Sequence, residues 1–357
     1  MWPDRRLLDL FGIEHPIVLA PMGGAMDWEL TLAVAEAGGL GSLPCMMYTT
    51  VRVRDEVGKF RARTNAPLSL AFFTHKHVPP DNAREAAWRD RLKPYYSELK
   101  LDPNASAPAP PRSPFNDESC ALVEELKPEV ASFHFGLPEP RLIARVKAAG
   151  CKVISSATTV EEARWLEKQG VDAVIAQGAE AGGHRGLFLS DDISTQAGTF
   201  ALVPQVVDAV NVPVIAAGGV SDARGIAAAF ALGAAGVQLG TAYLHCPESK
   251  ISGPHRAALA SAQDNSTTLT NVMSGRPARG IVNRLMREKG PISDVPAFPY
   301  AANALAPLRA AAEKQGSGDF SPLWSGQAAA LGRALPAGEL TRQLAADAQA
   351  RLKALAG

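Results

Sequence analysis

The chain contains only four cysteines in 357 residues, and their spacing argues against two kinds of protein. Cys45, Cys120, Cys151 and Cys246 lie far apart and form no CxxC pair. Zinc sites and disulfide-rich secreted domains both need closely spaced or regularly patterned cysteines. We therefore expect no metal at these residues, reduced thiols and a cytoplasmic location.

The sequence also lacks an excess of charge and any long apolar run. Lysine plus arginine and aspartate plus glutamate number 36 each, so the formal net charge is zero. A neutral chain gives no electrostatic argument for a nucleic-acid or membrane-surface partner. No apolar run approaches the roughly 20 residues of a membrane span, and residues 1–16 are too charged for a signal peptide. We expect neither a nucleic acid nor a membrane as partner.

What the sequence does contain is a regular alternation of short apolar runs and segments with helical spacing. The predicted strands cover residues 16–20, 40–44, 68–73, 130–135, 152–156, 173–176, 213–217 and 235–240. Helix N-caps are expected at Asp27, at Thr159 and at Ser221 or Asp222, and Glu162 would complete a capping box with Thr159. Eight strands, each followed by a helix, predict a closed (β/α)8 TIM barrel of the α/β class. An open doubly wound sheet is the alternative, but no GxGxxG motif follows the first strand.

Two regions depart from this alternation. Residues 75–116 hold a charged helical segment and a proline-rich loop, and we expect this insertion to cover one end of the barrel. The barrel would span residues 1–264, with a helix from about Ser249 completing the eighth unit. Residues 265–357 include a basic loop, SGRPARG, and alanine-rich helical segments. We expect them to form an extension packed on the barrel, not a separate domain.

The stretch Asp172–Gly186 carries the main candidate for chemistry. An apolar strand ends at Gln177, and a glycine-rich loop containing His184 follows it. Barrels place their active sites at the carboxyl ends of their strands. An imidazole has a suitable pKa for a general base near neutrality. From the residues alone, a half-exposed surface histidine is about as frequent in such a loop as a catalytic one. Both interpretations of His184 therefore stay open here.

Glycine-rich turns follow the last two predicted strands. One contains Gly218 and Gly219, and the other is Gln238-Leu239-Gly240-Thr241. Glycine lets backbone N–H groups approach phosphate oxygens closely. One such turn is more often an ordinary strand-to-helix turn, but two on adjacent strands favour the phosphate site that barrels commonly build there.

The end of the first strand suggests what such a phosphate would anchor. Pro21, Met22 and Gly23 form an apolar, narrow segment that suits the edge of a flat aromatic ring. Gln177 would offer its side-chain amide to the same ring. The ends of strands one and six thus suit a flat ring, and those of strands seven and eight suit a phosphate. This combination predicts flavin mononucleotide (FMN) as the cofactor.

Five blocks of the sequence together resemble one family of flavin enzymes. These blocks are PIVLAPMGGAMDWELTLAVAEAGGLGSLP, VIAQGAEAGGHRG, PVIAAGGVSD, GVQLGTAYLHCPES and SGRPARG. They are similar to the nitronate monooxygenases, formerly called 2-nitropropane dioxygenases, from about Ile13 to Arg279. The resemblance implies an FMN-dependent enzyme without a metal. Such an enzyme oxidises alkyl nitronates, a small-molecule substrate, with O2 to a carbonyl compound and nitrite.

The resemblance also implies roles for individual residues. His184 would be catalytic, as a general base toward neutral nitroalkanes and by positioning or charge stabilisation toward nitronates, and Tyr300 would line the substrate pocket. The residues expected to bind FMN are Pro21, Met22, Gly23, Gln177, Gly182, Gly183, Gly218, Gly219, Gln238, Leu239, Gly240 and Thr241.

Three positions depart from the family pattern. Ala71 stands where relatives often have an asparagine that touches the flavin, so one polar contact to the cofactor is expected to be missing. Ala304 and Leu308 stand where relatives have a tyrosine and a lysine near the substrate, so substrate preference is expected to differ.

Alternatives remain for the function and for two basic residues. The same phosphate turns would serve an NAD(P)H-dependent FMN reductase of quinones or enoyl thioesters, or a barrel that binds a phosphorylated ligand without redox chemistry. Arg276 and Arg279 in SGRPARG would meet a phosphate or cap helix ends. His75 and His77 are more consistent with a polar loop than with a metal site.

Overall fold

The computed structural model describes residues 2–104 and 113–357. Residues 105–112, which hold most of the predicted proline-rich loop, lie outside this description. The strands are β1 (Ile17–Leu19), β2 (Gly41–Leu43), β3 (Leu68–Phe73), β4 (Val130–His134), β5 (Lys152–Ala157), β6 (Ala173–Gln177), β7 (Gly183–His184), β8 (Val214–Ala217), β9 (Gly236–Leu239), β10 (Thr267–Thr270) and β11 (Ala278–Ile281).

The helices connect and cover these strands. They are α1 (Arg6–Phe11), α2 (Trp28–Glu36), α3 (Thr50–Arg61), α4 (Asn82–Glu98), α5 (Asp117–Leu126), α6 (Pro140–Ala148), α7 (Val160–Lys168), α8 (Thr199–Val207), α9 (Ala223–Ala231), α10 (Thr241–Leu244), α11 (Gly253–Ala260), α12 (Arg284–Lys289), α13 (Ala306–Lys314) and α14 (Ala337–Leu355). Short 3-10 helices cover Cys45–Met47, Ile193–Thr195, Tyr300–Leu305 and Ala329–Leu331. Within the described residues, no helix combines the length and apolarity needed to cross a bilayer.

Eight parallel strands form the barrel that the sequence predicts. Their order around the sheet is β1-β9-β8-β6-β5-β4-β3-β2. A parallel bridge between Val18 and Leu40 joins β1 to the start of β2 and completes the ring. Every side chain of β6 is buried, because such a strand faces the packed interior on one side and helices on the other. The predicted TIM barrel is thus confirmed.

Local capping signals in the sequence place several barrel helices. Asp27 accepts a hydrogen bond from Glu29 N at 3.0 Å, and Thr159 Oγ1 accepts one from Glu162 N at 3.2 Å. The capping box is only half formed, because the Glu162 carboxylate does not return to Thr159. It accepts instead from the backbone N and the hydroxyl of Thr158, both at 2.7 Å.

The last helix of the chain fills the eighth position in the outer ring. Helix α14 packs between α2 and α9, and its Leu340 and Leu344 join the same core as the barrel strands. The expectation that a helix from about Ser249 completes the eighth unit is therefore wrong. The helix in that region, α11, buries only His255 and Leu259, too little apolar surface to cover a barrel face. The division into residues 1–264 and 265–357 stays a prediction.

A second hydrophobic cluster joins the insertion to the segment after the barrel. Trp88 on α4 donates from Nε1 to Ala301 O at 3.1 Å, and the Tyr96 hydroxyl donates to Ala304 O at 2.7 Å. Both side chains are buried among residues of α12 and α13. Helix α4 of the insertion and helices α12 and α13 therefore form one packed layer.

A small antiparallel sheet connects two segments that the sequence presents as loops. Residues 183–184 form β7, which pairs with β11 through His184 and Ala278, and β11 also pairs with β10. Residues 179–186 and the segment SGRPARG were expected to be loops, and that expectation is wrong where β7 and β11 pair. Neither segment has the alternating pattern of a strand, and each is ordered by the other.

Candidate active site

A cavity of about 600 Å³ opens at the carboxyl ends of the barrel strands. The predicted site residues that line it are Pro21, Met22, Gly23, Gln177, Gly182, Gly183, His184, Gly218, Gly219, Gln238, Gly240 and Thr241. The structure thus gathers residues from β1, β6, β8 and β9 at one rim, as the order of a parallel barrel requires.

Two predicted residues are absent from the described lining. Leu239 points into the barrel core and is fully buried, because alternate residues of a strand face opposite sides. Tyr300 donates its hydroxyl to Val78 O at 2.9 Å, away from the cavity wall. Ala304 and Leu308 lie in the cluster with α4, so the cavity does not contact these two substituted positions.

The imidazole of His184 faces the cavity and is held by a serine. Its Nε2 lies 2.9 Å from Ser274 Oγ. That hydroxyl also lies 3.3 Å from Arg276 O, to which it can donate its one hydrogen. The serine oxygen then accepts from His184, which favours the tautomer with the proton on Nε2. The side chain is thus oriented by a residue from the segment before β11.

The backbone of the same loop is anchored to the end of β6. Gln177 donates from Nε2 to His184 O at 3.0 Å and accepts from Gly186 N through Oε1 at 2.7 Å. The amide predicted to face a ring therefore holds both sides of the His184 loop, although Gln177 still lines the cavity.

A second histidine, His134, was missed in the sequence. It ends β4, lines the cavity and donates from Nε2 to His184 O at 3.1 Å. Burial lowers the pKa of His134 to about 3, so its ring is neutral near neutral pH. Because Nε2 donates, Nδ1 must accept from the Ser156 hydroxyl, 2.9 Å away. His134 could have been predicted as a site residue from its position at the carboxyl end of an apolar strand, which is also the position of Gln177.

Three arginines fasten the loop without facing the cavity. Arg185 is fully buried and donates to Gln177 O and Gly178 O, both at 2.8 Å. Burial lowers its pKa to about 10, so it remains charged. Arg279 donates to Ala179 O at 2.8 Å, and Arg276 donates to Leu187 O. These bonds of Arg276 and Arg279 go to loop carbonyls, so the two arginines hold the loop and do not cap a helix end or face the cavity.

The turn after β8 exposes backbone donors in a conformation that requires glycine. Gly218 and Gly219 have φ values of +108° and +71°. A Cβ at Gly218 would lie 2.9 Å from Ala181 N. Among the described residues, the N–H groups of residues 219–221 have no backbone acceptor. The turn therefore presents consecutive donors beside the cavity.

The backbone around Ser325 and Gly326, also missed in the sequence, closes the neighbouring wall. A Cβ at Gly182 would lie 2.5 Å from Gly326 N, so the two chains pass in close contact. Gly326 N donates to Thr241 Oγ1 at 2.9 Å. Thr241 keeps its hydroxyl hydrogen for another partner.

One buried polar atom at the rim is unsatisfied. Gln238 Oε1 has no hydrogen-bond partner among the described residues. Buried acceptors are normally paired, so this atom is suited to a ligand N–H. Ala71, 2% exposed, lines the cavity with a methyl group. Within the described chain, no group of three potential metal ligands is found.

Comparisons with known proteins agree with this arrangement. The family model for nitronate monooxygenase matches residues 4–347. The chain is 43% identical over 343 residues to a nitronate monooxygenase of Paraburkholderia phytofirmans, covering 95% of this chain and 94% of that protein. It is 41% identical to a nitronate monooxygenase of Pseudomonas aeruginosa, covering 95% and 97%.

Solved structures show the same likeness. A nitroalkane oxidase from Streptomyces ansochromogenes is 39% identical with a TM-score of 0.89, covering 98% of this chain and 99% of that one. FabK from Thermotoga maritima is 28% identical with a TM-score of 0.74, covering 99% and 98%.

Proposed function

Because the chain belongs to the nitronate monooxygenase family, we propose that it is an FMN enzyme that oxidises alkyl nitronates with O2 to a carbonyl compound and nitrite. The observation that carries the proposal is that one cavity contains both His184 and the Gln238 oxygen, which has no partner among the described residues. The glycine turn with its open backbone donors supports it.

The residues present fit FMN. The N–H groups of residues 219–221 would hold the phosphate, together with the Thr241 hydroxyl. Gln238 Oε1 would accept from a ring N–H, and residues 21–23 would pack on the ring edge. When bound, FMN supplies the electron acceptor for the substrate.

His184 would act on the substrate from its fixed orientation. A nitronate is already an anion and needs no base, so His184 would act on it by positioning, packing beside it and excluding water together with the surrounding rings. A neutral nitroalkane must first lose its α-proton, and the imidazole of His184 would act as the general base that accepts it. Ser274 and the neutral His134 would keep the imidazole in place throughout.

The test measures O2 consumption and nitrite release by the FMN-loaded protein. The purified protein reconstituted with FMN should consume O2 and release nitrite from ethyl nitronate. An FMN-loaded protein that releases no nitrite from any alkyl nitronate would overturn the proposal.

The alternative is an NAD(P)H-dependent FMN reductase of quinones or enoyl thioesters. The likeness to FabK, at 28% identity over nearly the whole chain, is the observation in its favour. Anaerobic stopped-flow measurements separate the two functions. Rapid flavin reduction by NADH or NADPH, with none by a nitronate, would favour the reductase.

A further inference from the structure

The wall around His184 is built from aromatic side chains. The rings of Phe298 and Trp324 lie 5.3 and 5.4 Å from the imidazole, centre to centre, and that of Phe73 lies 6.0 Å away. All three residues line the cavity. Phe298 and Trp324 come from the segment after the barrel, so they do not belong to the rim that would hold FMN.

Trp324 is held rigidly from several sides. Its carbonyl accepts from His255 Nε2 at 3.1 Å, and it bridges to Gly280 in the small sheet. A Cβ at Gly280 would lie 3.0 Å from Trp324 Cε3, so the indole packs directly on that glycine. The ring therefore forms a fixed surface beside His184, and a fixed surface binds a ligand without an ordering cost.

The cations on the cavity wall are already paired with carboxylates. Arg309 Nε lies 2.9 Å from Glu313 Oε1, and Lys250 pairs with Glu29 and lies 3.4 Å from Asp27. Burial lowers the pKa of His255 to about 4 and that of His134 to about 3, so these two histidines of the wall are neutral near neutral pH.

Arg276 lies behind the Phe135 ring and does not line the cavity. Its guanidinium lies 4.1 Å from the centre of the Phe135 ring and donates to Leu187 O. Beside His184 and Ser274, the wall that Phe73, Phe298 and Trp324 form therefore presents apolar surface to a bound molecule.

We propose that Trp324 and Phe298 bind the apolar substituent of the substrate and select neutral nitronate chains over chains that end in a carboxylate. This inference rests on the proposed function. An alkyl chain or a phenyl ring gains free energy by leaving water for these rings. A carboxylate in the same place would lose its hydration without a free cationic partner.

A series of substrates tests the proposal in the FMN-loaded enzyme. We expect kcat/KM to rise about four-fold per methylene from ethyl to pentyl nitronate, as methylene transfer predicts. The nitronate of 3-nitropropionate should have a lower kcat/KM than propyl nitronate. A flat series, or a preference for the carboxylate, would overturn the inference.

Variants assign the selectivity to the two rings. Trp324→Ala should reduce the gain in kcat/KM to less than about two-fold per methylene. Trp165→Leu is the matched control, because Trp165 packs on Phe188, 5.2 Å away, and does not line the cavity. Unchanged chain-length dependence in Trp324→Ala would contradict the assignment.

A second variant and a binding measurement test the same proposal independently of Trp324→Ala. Phe298→Leu should reduce the chain-length gain in the same direction if Trp324→Ala does not fold. The dissociation constants of unreactive n-alkyl alcohols, measured by titration calorimetry, should fall with chain length in the native protein and less so in the variants. If no nitronate of the series is oxidised, the proposed function fails. If all are oxidised equally, only this inference fails.

Discussion

His134 donates from Nε2 to the backbone oxygen of His184 at 3.1 Å, and Gln177 donates to the same oxygen at 3.0 Å. The two donors come from β4 and β6, which are rigid parts of the barrel. The carbonyl of His184 can only accept, which fixes the tautomer of His134, and Ser156, on β5 between the two strands, donates to the other ring nitrogen. Three consecutive strands thus set the position of one catalytic candidate through its backbone.

Replacing His134 should therefore disturb the position of His184 without removing its imidazole. We expect His134→Ala to lower kcat/KM for ethyl nitronate by about 10- to 100-fold, since displacements near 1 Å have effects of that size. His134→Gln keeps a donor and should retain more activity than His134→Ala. Equal activity in all three proteins, at equal FMN content, would show that the bond does not position His184.

Acid should destabilise the protein through its buried neutral histidines. His134 and His255 have pKa values of about 3 and about 4 in the folded chain, against an ordinary value of 6.5. Below about pH 6.5 the unfolded chain binds protons at these sites that the folded chain does not. The free energy of unfolding should therefore fall as the pH decreases from 6.5, by up to about 1.4 kcal/mol per unit for each histidine.

Urea unfolding between pH 7 and pH 5 measures this effect. His134→Gln and His255→Gln should each flatten the dependence of unfolding free energy on pH. The exposed His77 is the control, and His77→Gln should leave the slope unchanged. A native slope of zero across this range would contradict the assignment of neutral buried rings.

The barrel and the position of His184 could be predicted because their signals are local. The apolar run of β6 marks a buried strand, and its end marks the catalytic face of the barrel. Gly218 and Gly219 likewise indicate a turn with left-handed backbone, and both have positive φ. In each case the residues that form the feature are neighbours in the sequence.

The rest depended on contacts between distant segments. Ser274 and Trp324 meet His184 only because β11 pairs with β7 and the following segment folds back over Gly280. Helix α14 was similarly difficult to place, since any amphipathic helix could cover the gap between α2 and α9. The donor function of His134 depends on a tautomer, which the contact with the distant His184 carbonyl determines.

The turn after β8 should not tolerate a side chain. In Gly218→Ala, the new methyl group would lie 2.9 Å from Ala181 N, and the backbone has a φ of +108°. We expect at least a ten-fold weaker affinity for FMN, because the turn must shift away from the phosphate donors. Gly58→Ala on α3 is the control, since no atom lies within 4 Å of the added Cβ. It should leave FMN affinity unchanged and raise helix stability by about 1 kcal/mol.

Replacing His184 should separate its two roles. His184→Asn removes the general base but keeps a polar side chain, so turnover of neutral nitroethane should fall by about 100- to 10,000-fold. Ethyl nitronate, which needs no deprotonation, should lose much less. Initial rates of O2 consumption with both substrates give the comparison, and retained turnover of nitroethane would remove the general-base assignment.

Position 71 offers a test of the missing polar contact to the cofactor. Ala71 lines the cavity and is 2% exposed, so a longer side chain there would extend toward the space where the flavin is proposed to bind. Ala71→Asn should tighten FMN binding by about 5- to 10-fold, the effect of one hydrogen bond in a partly dry site. Ala71→Val adds bulk without a donor and should weaken binding. Fluorescence titration of the apoprotein with FMN measures both, and a weaker affinity in Ala71→Asn than in the native protein would contradict the prediction.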